Sequence, residues 1–319
     1  MDRSRRDTLV AVGSAVAAML CFSSVPVFLR HLTGYLDCWT VNALRYATAA
    51  AFWLPFVVLL SRRARARPQA HPRRSIWLAA LVPALPNTLG QVGWAVCPYY
   101  VDATTIGFVI RVAFLFTVLL GFAFIPAERR LARRPLFYLG AGGTAAGVFL
   151  MYAERLLAGG VRDGAEATGL VILVATAAAW GAYAVSVRRF LAGYPLRLAF
   201  GVISLYTTLP LVALMLLLGR GGALASLPLR EAVLLVGSGV TGIALGHVFY
   251  HRAIHGIGPV VCSGVTMVGP FVTYALAAAF LAEAMTPLQL FGGLTVVAGG
   301  LILLKAKGQA DRIEPVPEA

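Results

Sequence analysis

The chain of 319 residues is 59% hydrophobic and only 13% charged, whereas a soluble domain is about half apolar and about a quarter charged. This composition excludes an ordinary soluble globular protein. The formal net charge of +14 could indicate a nucleic-acid ligand, but the basic residues lie in short clusters between long uncharged runs, and no basic stripe is interleaved with stacking aromatic residues. We therefore expect an integral membrane protein that binds no nucleic acid.

Ten apolar runs are each long enough to cross a bilayer core of roughly 30 Å as a helix. In chain order they are Leu9–Leu29, Cys38–Leu60, Ile76–Val96, Ala103–Pro126, Leu136–Ala153, Ala167–Val187, Leu198–Gly219, Ala232–Tyr250, Gly258–Ala282 and Leu288–Leu304. Basic residues precede the first run, as in a signal peptide, but the run is longer than the usual apolar core of about 7–15 residues. We therefore interpret it as a retained first span.

Lysine and arginine are unevenly divided between the segments that join these spans. If the N-terminus is inside, the inner segments hold 20 of these residues and the outer segments hold 5, while Arg45 and Arg111 lie within spans. Because short cytoplasmic segments of membrane proteins carry the excess of basic residues, this split predicts that both termini are cytoplasmic. We expect the chain to lie in the inner (plasma) membrane of the cell.

The two halves of the chain repeat at an offset of 155 residues. Leu54-Pro55 then aligns with Leu209-Pro210 in spans two and seven, and Ala127-Glu128 aligns with Ala282-Glu283 at the ends of spans four and nine. Chance identity between two apolar sequences is the alternative. Because both pairs occupy equivalent positions in their spans, we favour a true internal repeat.

Each half contains five spans, and because five is odd the halves must cross the membrane in opposite orientations. We expect an all-α membrane protein of ten transmembrane helices, built as two inverted five-helix repeats around a central cavity. The first half covers residues 1–153, the second covers 167–305, and a cytoplasmic tail covers 306–319. Secondary transporters of this architecture bind their substrate near the midplane, between the repeats.

Two segments of the sequence are similar to those of one known family. They are Asn42-Ala-Leu-Arg45-Tyr46 with Pro55 in span two, and Phe271 to Glu283 followed by Thr286-Pro-Leu-Gln289 and Gly292-Gly293. Pro270 and Glu283 also match a proline and an acidic residue that are common in and after span nine of that family. On these residues the chain, from Ala11 to Lys305, resembles the EamA type of the drug/metabolite transporter superfamily.

The first half departs from the family pattern. Leu115 stands where Pro270 would map, and an arginine-rich insertion, 129–134, follows Glu128. The resemblance implies ten helices in two inverted halves with a central cavity between them. It also implies export or uptake of a small molecule by alternating access, and it leaves the substrate open.

Two arginines lie inside predicted spans, where a charged side chain costs roughly 2.5–3.5 kcal/mol on insertion scales and usually faces a cavity or a partner. We expect Arg111 to contact an anionic group of the substrate, with a structural arginine bonded to backbone carbonyls as an equal alternative. Arg45 is a second candidate for the substrate site. Its long stem could instead reach the outer interface, which is the interpretation we favour for it.

Polar and aromatic side chains in other spans are further candidates for the cavity lining. Asn87 and Gln91 are four residues apart in span three, so they share a helix face, and Trp94 follows on the same side. Interhelical hydrogen bonding is the alternative for this stripe. Four aromatic residues near the middle of spans six, eight and nine could enclose an apolar substrate, or they could simply pack: Trp180, Tyr183, Tyr250 and Tyr274.

His247 is a candidate proton relay near the cytoplasmic end of span eight, because histidine titrates near neutral pH; a satisfied interfacial histidine is the more common case. The spans carry no aspartate or glutamate near the middle, which weakens carboxylate-based proton coupling and leaves facilitated diffusion open. Cys38 and Cys97 both fall in outer segments and could pair, although free thiols are favoured. Glycine pairs four residues apart, at Gly143 and Gly147 and in span eight, suggest close packing and dimer contacts.

The sequence has neither a P-loop nor an HExxH motif, and it contains no cluster of acids, nucleophiles or metal ligands. We therefore predict no catalytic site, no metal and no cofactor. The favoured function is a secondary transporter of small organic metabolites, such as amino acids or related compounds, with export as the favoured direction. A channel or facilitator, and a membrane-embedded enzyme that modifies lipids, are the alternatives.

Overall fold

The computed structural model of the protein describes residues 3–66, 75–157 and 164–313, and in these residues all regular structure is helical. The helices in chain order are α1 (Arg3–Leu32), α2 (Cys38–Ala66), α3 (Ile76–Val96), α4 (Ala103–Val109), α5 (Ala113–Phe124), α6 (Pro135–Leu157), α7 (Gly164–Phe190), α8 (Leu196–Leu218), α9 (Leu229–Gly239), α10 (Gly246–Met267), α11 (Gly269–Leu281) and α12 (Pro287–Ile313). The predicted all-α fold is confirmed. Most of the basic inner loop (67–74) and the end of the tail (314–319) lie outside the described residues.

The described helices supply the expected membrane crossings. Nine helical segments within the described ranges are long and apolar enough to span a bilayer. The tenth crossing is α3, which has 21 residues but is less apolar because it contains Asn87, Gln91 and two prolines. It packs between α7 and α8, so protein covers much of its polar stripe.

Two crossings are interrupted by irregular helical geometry. The fourth consists of α4 and α5, which are joined by a 3₁₀ segment, Ile110–Val112. The eighth begins with α9 and continues into α10 through a π-helical segment, Val240–Leu245. Single π-helical turns and short 3₁₀ stretches within longer helices are often found at functional sites. Both interruptions lie beside the cavity described below.

α10 contains the end of the eighth crossing and the beginning of the ninth. A Cβ atom built on Gly256 would lie 2.3 Å from the Cβ of Ala11, near the start of α1. One built on Gly269, at the start of α11, would lie 2.7 Å from the Oγ of Ser23, which is farther along α1. The chain therefore turns back between Gly256 and Gly269, so the eighth and ninth crossings form a hairpin.

Each crossing packs against a crossing of the other half. The main contacts join α1 to α10, α3 to α7, α2 to α8, α4 to α11, and α6 to α12. If each crossing is replaced by the equivalent crossing of the other half, the α1–α10 contact becomes the α3–α7 contact. Each of the other three contacts then joins the same two crossings as before. This is the pattern expected of two inverted halves related by a pseudo-two-fold axis, which confirms the predicted repeat architecture.

Glycine lets α6 and α12 approach each other closely. A Cβ on Gly147 would lie 2.5 Å from the backbone nitrogen of Val296, and one on Gly299 would lie 2.4 Å from that of Thr144. Gly143 also faces Gly299. The close packing expected of the Gly143–Gly147 motif is therefore confirmed, and because this face is buried against α12 of the same chain, it is not free for dimer contacts. The glycine pair of the eighth crossing likewise packs against α1.

Candidate substrate-binding site

A cavity of about 380 Å³ lies where the two halves meet, at the low end of the ~300–1,000 Å³ that is typical of small-molecule sites. The first half contributes α1, α2, α3, α5 and the 3₁₀ segment to its wall. The second half contributes α7, α8, α10 and the π-helical segment. Seven residues predicted to bind substrate line this cavity: Arg45, Asn87, Gln91, Trp94, Arg111, Trp180 and Tyr183.

Arg45 is buried in the bundle, with only 1% of its surface exposed. Its Nε donates a hydrogen bond of 2.9 Å to the Oγ of Ser238 in α9, so a residue of the second half holds it in place. Its Nη1 is buried with no hydrogen-bond partner among the described residues. The interpretation that Arg45 reaches the outer interface is wrong, because its side chain points into the wall between the halves.

Arg111 lies within the 3₁₀ segment between α4 and α5. Its Nε is buried without a hydrogen-bond partner among the described residues. A Cβ built on Gly269 would lie 3.0 Å from its Nη2, so the glycine leaves room for the guanidinium beside the start of α11. This geometry favours a role toward the cavity over bonding to carbonyls at the helix break.

Among the described residues that line the cavity, no side chain carries a carboxylate. Four acidic side chains with described partners lie outside this lining. Asp37 and Asp102 cap α2 and α4, Glu231 lies 3.6 Å from His31, and Glu283 binds the first turn of α4. The cavity wall therefore has an excess of positive charge.

Asn87 both stabilises the bundle and lines the cavity. It is 4% exposed, and its Nδ2 donates to the Oγ1 of Thr207 in α8 at 2.8 Å and, more weakly, to the hydroxyl of Tyr46 at 3.4 Å. The backbone carbonyl of Gln91 accepts a hydrogen bond of 2.9 Å from Asn42, while Gln91 itself lines the cavity. The two interpretations of the polar stripe thus both apply.

Trp94 and Trp180 form an aromatic pair from opposite halves, with ring centroids 4.9 Å apart. Gly90 makes this arrangement possible, because a Cβ there would lie 2.4 Å from the Cδ1 of Trp180. The indole of Trp180 therefore lies against the backbone of α3. The pair provides one apolar wall of the cavity.

His247 lines the cavity and is not near the cytoplasmic end of its crossing, as the sequence had suggested. The eighth crossing continues to Ile257, so His247 lies well inside it. Its ring stacks on Phe200 at 3.9 Å and meets Phe22 edge-on at 5.1 Å. Its Nδ1 is buried with no partner among the described residues.

Two of the predicted substrate residues do not line the cavity. Tyr250 packs edge-on against Phe22 at 5.9 Å and beside His251. Tyr274 packs against the largest apolar cluster of the bundle. The hydroxyl of Tyr250 nevertheless lies within reach of Ser263 and Arg111, which both line the cavity. The roles of Tyr250 and Tyr274 in substrate binding therefore stay predictions.

Several lining residues were not identified from the sequence, although the repeat held a signal for them. At the 155-residue offset, Arg45 corresponds to Phe200 and Arg111 corresponds to Thr266, and all four line the cavity. The same is true of two further pairs, Asn87 with Gly242 and Val25 with Trp180. Equivalent positions of the two halves thus line the same cavity, as expected at a pseudo-two-fold axis.

An apolar cluster lies at the end of the bundle where α1 ends and α2 begins. Leu32, Leu36, Val41 and Val101 are buried in one apolar cluster with Cys97. Polar contacts lie around this cluster: the hydroxyl of Tyr99 donates to the carbonyl of Leu36, and an arginine of α1 donates to the carbonyl of Pro98. Cys38 and Cys97 are both free thiols, so the structure contains no disulfide between them.

Comparison with known proteins agrees with this architecture. Fifteen solved chains match the fold; one, described only as a crystal structure of a protein, has a TM-score of 0.61 and 20% identity over 97% of this chain and 99% of that chain. No curated protein sequence matches. The profile of the EamA-like transporter family matches residues 9–153 and 167–305. The chain belongs to the EamA-like transporter family.

Proposed function

We propose that this protein is a secondary transporter that exports small organic metabolites across the inner (plasma) membrane by alternating access, with both termini in the cytoplasm. The observation that carries the proposal is the cavity between the inverted halves, which is lined by equivalent residues of both halves. Inverted-repeat carriers place their substrate at this position. Membership of the EamA-like family supports a membrane transporter of the drug/metabolite type.

The apolar cluster where α1 ends and α2 begins supports a carrier mechanism over an open pore. Apolar side chains such as Leu32 and Leu36 separate the cavity from the outer loops. In a carrier, rocking of one half (residues 1–153) against the other (167–305) would open this end and close the opposite one. The crossings that pack across the halves, α2 with α8 and α3 with α7, are the surfaces that would slide.

His247 is the residue that we propose as a proton relay if transport is coupled to protons. It lies on the cavity wall between Phe22 and Phe200, and its Nδ1 has no partner among the described residues. A His247→Ala variant should then transport without a response to an imposed pH gradient, whereas the wild type should respond. Equal responses of the two proteins would assign the coupling elsewhere.

Counterflow in proteoliposomes tests the proposal. Vesicles that contain the purified protein are loaded with unlabelled metabolites from a cell extract and diluted into the same metabolites carrying an isotopic label. A carrier accumulates label transiently and saturably, because exchange is faster than net efflux. Steady conductance without saturation would indicate a channel. No exchange of any metabolite above that of empty vesicles would contradict the transporter proposal.

A further inference from the structure

The two halves differ in the charged side chains that they contribute to the cavity. Both arginines come from the first half, and the equivalent positions in the second half are Phe200 and Thr266. The other lining residues of the second half are aromatic, apolar or hydroxyl-bearing, apart from His247. The positive charge of the site therefore comes from the first half, whereas both halves contribute aromatic and apolar side chains, Trp94 from the first and Trp180 from the second.

Neither guanidinium is neutralised by a described neighbour. Arg45 has one hydrogen bond, to the neutral hydroxyl of Ser238, and its Nη1 has none; the Nε of Arg111 has none. Uncompensated charges buried inside a membrane protein are unfavourable and are generally kept for function. An anion between them would provide the missing partner, since arginine binds carboxylate and phosphate oxygens through several parallel hydrogen bonds.

Small residues leave space beside both guanidinium groups. A Cβ on Gly242 would lie 3.4 Å from the Nη2 of Arg45, and one on Gly269 would lie 3.0 Å from the Nη2 of Arg111. A larger residue at Gly269 would press on the guanidinium of Arg111, whereas one at Gly242 would clash with Val25, at 2.4 Å, and would only touch Arg45. Gly269 thus helps Arg111 to occupy its place on the cavity wall.

We propose that the cavity binds an organic anion, with its acidic group held by Arg45 and Arg111 and its apolar body against Trp94 and Trp180, and that it discriminates against ligands that carry an ammonium group. The inference deepens the proposed function and rests on it only for the claim that the bound anion is transported. It narrows the substrate class from amino acids in general to acids without a free amine.

The discrimination follows from the lining residues. An ammonium group requires acceptors and is stabilised by carboxylates, but the described wall offers only neutral acceptors such as Gln91 and Ser263. The same ammonium would be repelled by the two arginines, and repulsion is strong where water is excluded. The carboxylate of a zwitterion therefore strengthens its binding, and its ammonium group weakens it.

Ligand binding to the purified protein tests the inference directly, because Trp94 and Trp180 give an intrinsic fluorescence signal at the cavity. The probes are 3-phenylpropionate, its neutral amide 3-phenylpropionamide, and phenylalanine, which has the same skeleton with an added ammonium. A second series replaces the phenyl ring with linear chains of four to eight carbons, on the order of the small-molecule volumes that such a cavity holds. We expect a carboxylate to bind at least ~10-fold more tightly than its amide and its amino acid, about 1.4 kcal/mol per tenfold step.

Three variants locate the effect. Arg111→Gln and Arg45→Gln should each weaken carboxylate binding by at least ~10-fold, which is one lost charge-assisted hydrogen bond. Arg252→Gln, which removes an exposed arginine of α10, is the matched control and should leave binding unchanged. If a glutamine variant is not folded, Thr266→Glu tests the same site. Its carboxylate, built into the cavity wall, should compete with the ligand for the arginines and weaken carboxylate binding.

Failure of every carboxylate to bind would overturn the inference, as would binding of phenylalanine or an amine as tightly as the matching acid. An anionic phospholipid added to the micelles shows whether the natural ligand is a soluble acid or a lipid headgroup, since a lipid ligand would displace the soluble probe. Flux of the bound acid in proteoliposomes is measured separately. Binding without flux would contradict the transporter proposal and leave the anion site intact. Flux of neutral or cationic compounds alone would support the transporter proposal and contradict the anion site.

Discussion

The carboxylate of Glu283 binds the first turn of α4 through Thr104, whose backbone N–H and hydroxyl donate to it at 2.9 and 2.6 Å. The N–H of Ala103 donates a third hydrogen bond of 2.9 Å. Ala282 adopts a left-handed conformation, with φ of 54°, and this turn directs the carboxylate toward α4. The contact joins the end of the ninth crossing to the start of the fourth, and thus joins the two halves.

Loss of this carboxylate should destabilise the protein. Hydrogen bonds to charged groups contribute about 1.5–3 kcal/mol each, and an anion at a helix N-terminus contributes about 0.3–1 kcal/mol. We expect Glu283→Gln to lower the free energy of unfolding by about 1 kcal/mol and Glu283→Ala by about 2–3 kcal/mol. Thermal unfolding in detergent measures both, with Asp7→Asn, an exposed carboxylate at the other end of the bundle, as the control. Equal stability of all three variants would show that the contact contributes nothing.

The glycines between α6 and α12 should be intolerant of even one added methyl group. Because a Cβ on Gly299 would meet backbone atoms of α6 at 2.4 Å, the helices must move apart, and we expect Gly299→Ala to cost about 1–3 kcal/mol, as overpacked cores do. Gly142→Ala is the matched control, since a Cβ there has nothing within 4 Å. Unfolding midpoints that fall equally in the two variants would contradict this description of the interface.

The sequence was sufficient for the membrane-spanning architecture, for a physical reason. Crossing a bilayer requires long apolar helices, so hydropathy alone locates most crossings, and the basic residues indicate their direction. Paired landmarks such as Pro55 with Pro210 then reveal the repeat. The structure differs at the C-terminal end. The last helix, α12, continues to Ile313, so it includes the first part of the segment 306–319 that was predicted to be a tail.

The faces of the helices were harder to predict than the helices themselves. In a soluble protein, the polar face of a helix is the face exposed to water. In a membrane bundle, an apolar residue can face lipid, a neighbouring helix or a cavity, so polarity does not identify the face. Arg45 therefore looked like an interfacial residue until tertiary packing placed it, buried, in the wall of the cavity. The repeat offset would have identified Phe200 and Thr266 as partners of the two arginines, had the cavity been assumed to lie on the pseudo-two-fold axis.

Asp37 should make the outer end of α2 sensitive to acid. Burial by itself raises the pKa of Asp37, but hydrogen bonds from the amide of Thr40, the amide of Arg220 and the hydroxyl of Thr40 outweigh it, and the pKa lies below its ordinary value. A lowered pKa means that the stabilisation is present above the ordinary aspartate pKa of about 3.9 and is lost as pH falls through the lowered value.

We therefore expect Asp37→Ala to unfold more easily than the wild type at pH 7, by about 1 kcal/mol as for other N-cap residues. The difference should shrink as pH falls below about 3.9, because the unfolded wild-type chain then binds a proton at Asp37 that the folded chain binds less readily. Thermal unfolding at pH 7 and near pH 3, roughly one unit below the ordinary pKa, measures it. A difference that is constant or larger in acid would show that the charge of Asp37 has no stabilising role.

The predicted orientation can be tested with reporter fusions. Fusions after Ala70, which lies outside the described residues, and after Arg134 should both report the cytoplasm, because both follow clusters of basic residues. A fusion after Gly222, in the short 3₁₀ segment that precedes α9, should report the outer side. The opposite result at any of the three positions would break the alternation of crossings on which the topology rests.

The most direct test of the account is whether the cavity can be reached from both sides of the membrane. Ser263 lines the cavity, so a Ser263→Cys variant, made after the four native cysteines are replaced, places a single thiol at the proposed substrate site. A membrane-impermeant thiol reagent is then applied to vesicles of either orientation. We predict that the thiol is labelled from both sides and that a transported anion slows labelling; labelling from one side only, regardless of ligand, would contradict alternating access.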